Sequence, residues 1–187
     1  MNSGLRVAAR YIAAQVTLPV PTVPQSTDFS CGSACLMAVM RFWLGEELKV
    51  ERENELWSML QTDPETGVEP ERMAAAARAF GLSAEHRLGM TVEDLRRQLQ
   101  MGHTVILMVQ AWQTEPVPWA QDWDHAHYVV LVGMDASNAY FMDPAPEAQA
   151  LKLPQIPIPL AELPDRWHNP AVDGSPEYGF GLTVYKP

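Results

Sequence analysis

The chain has 187 residues with a hydrophobic content of 47%, which is enough for one domain with a substantial core. Asp and Glu number 23 against 13 Lys and Arg, so the formal net charge is −10. A protein this acidic repels phosphate backbones and anionic lipid surfaces, and we therefore expect neither a nucleic-acid partner nor a membrane partner.

The sequence carries no pattern typical of a membrane span or of export. No stretch of 18 apolar residues occurs, and the apolar runs near the N-terminus are too short for the core of a secretory signal. We therefore expect a soluble, cytoplasmic protein. The composition leaves its oligomeric state open.

Helices are predicted for the first half of the chain, after an extended, proline-rich segment at residues 16–24. Apolar residues recur at helical spacing, Gly45, Gly81 and Gly102 are helix stop signals, and Pro70 suits the first position of a helix. The predicted helices cover about 31–44, 51–61, 70–80 and 91–101, and Thr91 with the acidic residues after it is a capping signature for the last of them.

Strands are predicted for the second half, in the runs HTVILMVQAW, AHYVVLVGMD, NAYFMDP and YGFGLTVYKP. The proline-rich residues 144–170 are expected to wrap around the surface without regular structure. Helices followed by antiparallel strands predict an α+β fold in a single domain, residues 1–187. Its helical lobe would cover about 18–102 and its β lobe about 103–187, with a cleft between them where chemistry could take place.

The two cysteines of the chain lie four residues apart in the stretch PQSTDFSCGSACLMAVMRFW. Cys31 falls at a predicted helix N-terminus, where unpaired N–H groups and the helix dipole lower the pKa of a thiol. Cys35 lies one turn further along, among predicted core residues. One interpretation makes Cys31 a nucleophile, and the other makes both cysteines small core residues.

A thiol nucleophile needs a base, and the base needs a group that orients it. His127 begins a predicted strand that would hold its ring rigidly, whereas His125 precedes it in a loop rich in Trp and Asp. Asp143 ends the neighbouring strand, where cross-strand pairing would bring its carboxylate near His127. Gln25 lies shortly before Cys31, so its amide could donate a hydrogen bond to an oxyanion, alongside the Cys31 backbone N–H.

The combined pattern of QSTDFSCGSACL, HYVVLVG and FMDP resembles the bacteriocin-processing, double-glycine type of papain-like cysteine peptidase. This is family thirty-nine of the cysteine peptidases, and the resemblance is to its free-standing members. The family places a glutamine six residues before its nucleophile, as Gln25 precedes Cys31, and an Asp-Pro step one hairpin after its base. The segments TGVEPERMAAAARAFGL and IPLAELPDRWHNPAVDG extend the resemblance from about Leu18 to Tyr185.

The resemblance implies a papain-like fold whose helical lobe carries the nucleophile and whose β lobe carries His and Asp. It implies hydrolysis of a peptide or amide bond, with no cofactor. Residue by residue, it makes Cys31 the nucleophile, His127 the general base and acid, Asp143 the orienting carboxylate and Gln25 the oxyanion donor. Cys35 would be the second, non-catalytic cysteine of the family.

Two features depart from the family pattern. Members often carry Asp directly before the nucleophile, where this chain has Ser30, with Asp28 nearby. No membrane-spanning or ATP-binding segment follows the peptidase region in this sequence. The processing-and-export role of the transporter-fused members is therefore not expected here.

Three other interpretations stay open at this point. The cluster DWDHAH, with Cys31 as a distant ligand, could hold a metal ion, although its spacing is less regular than that of usual zinc sites. The same thiol site could serve an acyl- or peptidyl-transferase, if the acceptor is not water. A catalytically silent peptide-binding module is the third, but it would have no need of Gln25 or of a Cys–His pair.

Three tryptophans, Trp112, Trp119 and Trp123, fall in the loop directly before His127. They could fix the loop onto the core, or the loop could be a lid over the substrate. The second interpretation assigns substrate binding to Trp119, Trp123 and Asp124. The acidic residues of such a lid would favour an extended peptide with apolar and basic side chains (Glu115, Asp122, Asp124).

Overall fold

The computed structural model describes residues 16–112, 117–145, 155–171 and 173–187. Within these ranges helices dominate the first half of the chain and antiparallel strands the second, which is the α+β arrangement that the sequence predicts. The α-helices are α1 (Cys31–Leu44), α2 (Trp57–Leu60), α3 (Pro70–Ala79), α4 (Val92–Gln100) and α5 (Leu163–Arg166). Short 3-10 helices cover Gly45–Glu47, Glu53–Leu56 and Trp119–Gln121.

One antiparallel sheet carries most of the strands. Their order across the sheet is β2 (Ser83–Arg87), β9 (Gly181–Tyr185), β3 (Thr104–Gln110), β4 (Ala126–Met134), β5 (Asn138–Met142) and β6 (Ile156–Pro159). Strand β1 (Val16–Thr17) pairs with the end of β4. Strands β7 (His168–Pro170) and β8 (Pro176–Tyr178) form a separate antiparallel pair.

Helix α1 is the central helix of the fold. Every residue from Gly32 to Met40 is buried, which is typical of a helix that is apolar on all sides. The helix shares a core with residues from one face of the sheet, among them Ile106 and Val130. It ends as predicted before Gly45, whose φ of 52° lies in the region that favours glycine. Cys31, the first residue of α1, is therefore held in a fixed place against the sheet.

A second core lies on the opposite face of the sheet, because alternate residues of a strand point to opposite sides. It combines residues of α4 and β3 with a tryptophan from the C-terminal segment (Leu95, Leu99, Val105, Leu107, Trp167). Thr91 and Asp94 form the capping box that the sequence predicts: Thr91 Oγ1 accepts from Asp94 N at 3.2 Å, and Asp94 Oδ2 accepts from Thr91 N at 2.9 Å. The sheet is thus covered on both faces.

Three segments differ from their predicted structure. The helix expected at 51–61 is a 3-10 turn followed by the single turn of α2. Strand β2 forms in SAEHR, which has no apolar run, because its backbone pairs with β9 from Ser83↔Tyr185 onward. The proline-rich segment 144–170, expected to lack regular structure, contains strand β6, the single turn of α5 and strand β7. Strand β6 is an edge strand, where a missing N–H can be tolerated. Residues 146–154 lie outside the described ranges.

The predicted division into two lobes near residue 102 stays a prediction. Strand β2, from the first half of the chain, is part of the sheet that strands of the second half form. None of the helices formed by the described residues has both the length and the apolar character needed to cross a bilayer.

Candidate active site

The thiol of Cys31 lies at the N-terminus of α1 and is partly exposed. The side chain of Ser30, the residue before it, makes no capping hydrogen bond to the helix. The first N–H groups of a helix have no partner within the helix, and they favour a negative charge nearby. The position of Cys31 therefore favours a thiolate.

Gly32 lets the start of α1 approach strand β4 closely. A Cβ atom at this position would collide with Val68 Cγ1 and would lie 3.0 Å from Tyr128 Cδ2. Both neighbours are buried, and Tyr128 OH donates a hydrogen bond to Val68 O at 3.1 Å, so neither can move easily. A glycine after Cys31 is thus needed to seat the helix N-terminus next to the residue that follows His127.

We predict that Gly32→Ala lowers the free energy of unfolding by about 1–3 kcal/mol, as overpacking of a core usually does. The same change should slow alkylation of Cys31 by about tenfold or more, because it displaces the thiol from His127. Chemical denaturation and the rate of reaction with iodoacetamide measure the two effects. Val68→Ala in the same chain removes the colliding methyl group and should restore both quantities in part; strictly additive losses in the double variant would contradict this explanation.

His127 lies at the start of β4, and its ring is only 2% exposed. Its Nε2 is 2.8 Å from Asp143 Oδ1, which also accepts a hydrogen bond from Ala145 N at 2.8 Å. The pairing of β4 with β5 explains this contact, because Val130 lies opposite Met142 and Asp143 follows directly. With Nε2 directed at the carboxylate, Nδ1 is the ring nitrogen left for Cys31.

Electrostatics favour a charged Cys31–His127 pair. Burial alone raises the pKa of the Cys31 thiol, but the hydrogen bond and the charge of His127 outweigh it and hold that pKa below its ordinary value. Burial alone lowers the pKa of His127, yet the hydrogen bonds to Asp143 and Cys31 and their charges raise it to about 9. Each partner thus stabilises the ionised form of the other.

Cys35 has a different environment. It is completely buried, and its Sγ donates a hydrogen bond to the Tyr128 carbonyl oxygen at 3.2 Å. Burial, followed by the negative charges of Cys31 and Asp143, raises the pKa of the Cys35 thiol well above its ordinary value. Cys35 is a neutral core residue, as the sequence predicts.

Gln25 is hydrogen-bonded to the segment that directly follows Asp143. Its backbone N donates to Pro144 O at 2.9 Å, one residue after Asp143. Its side chain is 8% exposed, and Nε2 donates to Thr27 O at 2.9 Å. An amide nitrogen carries two hydrogens, so this bond fixes the orientation of the amide and leaves a second donor.

Trp112 is a neighbour of His127 that the sequence prediction did not assign to the site. Its ring centroid lies 4.6 Å from that of His127 at an interplanar angle of 51°, and the residue is 39% exposed. An indole next to an imidazolium stabilises the positive charge and keeps water from one side of the ring. The sequence signal that could have placed Trp112 in the site is its position two residues beyond β3, the strand in which Val109 pairs with His127.

The other loop tryptophans contact the C-terminal segment. The Arg166 guanidinium lies 4.0 Å from the centroid of the Trp119 ring, and Trp123 packs against His168 with centroids 4.2 Å apart. Asp124 is exposed. The substrate-binding role predicted for Trp119, Trp123 and Asp124 stays a prediction, and Glu115 lies outside the described residues.

The cluster DWDHAH does not gather around one point. His125 Nδ1 is 2.8 Å from the buried Asp122 Oδ1, whereas His127 is bound to Asp143. Among the described residues, no group of three or more His, Cys, Asp or Glu side chains is arranged to hold a metal ion. The geometry offers two separate His–carboxylate pairs, of which one contacts a thiol.

Comparisons with known proteins identify the family and the fold of the chain. The model of the Peptidase_C39 like family matches residues 17–170. A comparison with the curated proteins found no significant match.

Three solved structures illustrate the shared fold. A protein described as a C39-like peptidase from Bacillus anthracis is 17% identical, with a TM-score of 0.64, and the match covers 92% of this chain and 98% of that one. The peptidase domain of Streptococcus ComA, a bifunctional ABC transporter, is 15% identical with a TM-score of 0.62, covering 90% and 99%. A double glycine motif protease from an AMS/PCAT transporter, crystallised with its leader peptide, is 19% identical with a TM-score of 0.57, covering 91% and 94%.

The family match includes the segments that contain Cys31, His127 and Asp143, and the papain-like α+β fold extends over nearly the whole chain. The chain therefore belongs to the Peptidase_C39 like family and is a cysteine peptidase.

Proposed function

We propose that this protein hydrolyses a peptide bond with Cys31 as the nucleophile, His127 as general base and acid, Asp143 as the orienting carboxylate and Gln25 as an oxyanion donor. The observation that carries the proposal is the continuous line of contacts from Cys31 through His127 to Asp143. A buried imidazole held between a thiol and a carboxylate has the geometry of nucleophilic catalysis.

The reaction follows from these contacts. The Cys31 thiolate attacks the peptide carbonyl carbon, and the carbonyl oxygen becomes an oxyanion that accepts hydrogen bonds from the Gln25 amide and the Cys31 backbone N–H. The imidazolium of His127 gives its proton to the amine nitrogen as the C–N bond breaks. Neutral His127 then takes a proton from water, which attacks the thioester and releases the acid, and the thiolate–imidazolium pair is restored.

An extended peptide with basic and apolar side chains is the proposed substrate. The relative from the AMS/PCAT transporter is a double glycine motif protease bound to a leader peptide, which supports a peptide and makes a Gly-Gly sequence the first one to test. The net charge of −10 and the exposed Asp124, three residues before His127, favour basic side chains. Trp119 and Trp123 would contribute apolar contacts if the loop closes over the peptide.

The first test is the pH dependence of alkylation at each cysteine, measured with iodoacetamide and peptide mapping. Cys31 is expected to react at a pH well below the pKa of about 8.5 that a free thiol has, because His127 stabilises its thiolate. Cys35 should stay unreactive in the folded protein, since it is buried and its pKa is raised. The two cysteines serve as internal controls for each other.

His127→Ala removes the group that lowers the pKa of Cys31 while burial still acts on the thiol. The apparent pKa of Cys31 in this variant is therefore expected to be higher than in the wild type, although the backbone N–H groups at the start of α1 still favour the thiolate. If Cys31 titrates like a free thiol in both proteins, or does not react at all, a silent peptide-binding module would explain the fold better than a peptidase.

A further inference from the structure

Glu53 is a buried carboxylate that the mechanism above does not use. It begins the 3-10 helix Glu53–Leu56 and is 4% exposed. Its Oε1 accepts hydrogen bonds from Ser26 N and Ser30 Oγ, both at 2.9 Å, and from Ser26 Oγ. Its Oε2 accepts from Trp57 Nε1 at 2.6 Å. A buried charge is costly without such donors, and here four donors compensate it.

The donors on Oε1 lie at the two ends of one loop, and both ends adjoin the active site. Ser26 follows Gln25 directly, and Ser30 precedes Cys31 directly. The interior of the loop continues the connection: Ser30 Oγ accepts from Thr27 N at 3.1 Å, and Thr27 O accepts from the Gln25 amide at 2.9 Å. A single carboxylate from a separate segment therefore fixes the loop that joins the oxyanion donor to the nucleophile.

We infer that Glu53 is a positioning residue that sets the Gln25 amide relative to the Cys31 thiol. The inference rests on the proposed function, because it assigns Gln25 to the oxyanion. Glu53 acts through Ser26 and Ser30 and does not touch the substrate. Its effect should therefore appear in reactions that build up an oxyanion and not in reactions that need only the thiolate.

The number of hydrogen-bond donors around Glu53 explains why a carboxylate is needed at this position. All four partners of Glu53 are donors, and they are distributed over both oxygens. Glutamine has one acceptor oxygen, so in either orientation its NH2 group faces a donor. If the oxygen serves the loop, the NH2 group faces Trp57 Nε1; if the oxygen serves Trp57, the loop loses its acceptor.

Two reagents separate the roles of thiolate and oxyanion. Iodoacetamide alkylates a thiolate by displacement of iodide, with no oxyanion. With 4-nitrophenyl acetate, Cys31 Sγ attacks the ester carbonyl, an oxyanion forms, and 4-nitrophenolate leaves as the C–O bond breaks. Neither reagent requires recognition of a peptide, so the test does not depend on knowing the natural substrate. Rates measured with Cys31→Ala are subtracted as background.

Glu53→Gln is expected to slow acylation by 4-nitrophenyl acetate by about 10- to 100-fold, because the donor to the oxyanion is misplaced. Alkylation of Cys31 should stay within about threefold of wild type. The double variant Glu53→Gln, Trp57→Phe removes the donor that the NH2 group would face and keeps an aromatic ring against Phe29, so it should regain most of the acylation rate. The matched control is Glu51→Gln, the same chemical change at an exposed residue nearby.

Acylation of Glu53→Gln within threefold of wild type would overturn the inference, and so would a double variant no faster than the single one. Equal losses of alkylation and acylation, in proportion to the unfolded fraction seen by circular dichroism, would show that Glu53 only stabilises the fold. A failure of the proposed function looks different, because wild-type Cys31 would then react with neither reagent faster than a free thiol.

Discussion

Cys31→Ala is expected to abolish peptide cleavage, with a loss of about 10⁴-fold or more. Without Sγ no thioester can form at Cys31, and the second cysteine, Cys35, is buried. His127→Ala should be nearly as damaging, and the double variant should lose little beyond either single one, because groups that act as a unit are not additive. Release of 7-amino-4-methylcoumarin from a peptide that ends in Gly-Gly before this reporter measures the effect.

Cys35→Ala is the matched control for this experiment. It makes the same chemical change one helical turn away, at a thiol that is buried and has a raised pKa. Its activity per folded molecule should stay within about threefold of wild type, although loss of the bond to the Tyr128 carbonyl lowers stability by about 1 kcal/mol. Cleavage by Cys31→Ala at more than a tenth of the wild-type rate, or an inactive but folded Cys35→Ala protein, would contradict the assignment of roles.

The parts of the fold that depend on local signals could be predicted from the sequence. Helix α1 begins at Cys31 and ends before Gly45, α3 begins at Pro70, and the Thr91 capping box starts α4. The strands β3, β4, β5 and β9 lie within the predicted apolar runs. In each case the residues that make the element also mark its ends, so no distant contact is needed to recognise it.

The missed elements depend on distant partners. The residues of β2, of which only Ala84 is buried, form a strand because they pair with the edge of β9, and no local pattern within SAEHR predicts that pairing. Strand β6 alternates isoleucine with proline and is stabilised by β5 on one side only. Local propensity argues against both strands, and tertiary pairing overrides it.

The candidate site shows the same division. Cys31, His127 and Asp143 can be predicted as candidates because each lies near the end of a predictable element, and strand pairing brings the last two together. Glu53 could not be found in this way, because a glutamate in ERENELW looks like one more surface charge. Only the folded chain reveals that its carboxylate is buried and serves residues 23 and 27 positions away. Supporting residues of a site are the least visible in a single sequence, since their partners lie in other segments.

Asp143→Asn is expected to lower kcat/KM for a peptide by about 10- to 100-fold and to narrow the pH range over which the protein cleaves that peptide. The asparagine oxygen can still accept from His127 Nε2, so the ring stays oriented, but the negative charge is lost. Asp143→Ala removes both the orientation and the charge, and we expect a larger loss, about 10²- to 10⁴-fold. Asp165→Asn, the same change at an exposed residue of α5, is the control and should have no effect.

The direction of the pH effect follows from the sign of each shift. Protonated His127 is needed to deliver a proton to the leaving amine, so activity on a peptide falls as the pH rises through the pKa of His127, about 9 in the wild type. Asp143 raises this pKa, and its neutralisation lowers it, so the alkaline limb should move down by at least about one pH unit. When the pKa of His127 is lower, less imidazolium is present at a given pH to stabilise the Cys31 thiolate. The acid limb of the pH–activity profile should therefore move to higher pH. Both limbs belong to the coupled pair rather than to either residue alone.

An ester substrate supplies the decisive comparison within the same protein. 4-Nitrophenolate is a good leaving group that needs no proton, so acylation by 4-nitrophenyl acetate should continue above pH 9, where cleavage of the peptide declines. In Asp143→Asn the acid limb should move for both substrates, but the alkaline limb should move for the peptide only. An alkaline limb at the same pH for ester and peptide, or one that Asp143→Asn leaves in place, would mean that His127 is not the acid that protonates the leaving amine. Agreement would assign the acid to His127 and the support of its charge to Asp143 with a single pair of pH profiles, because the hydrogen bond of His127 to Asp143 is what couples the two residues.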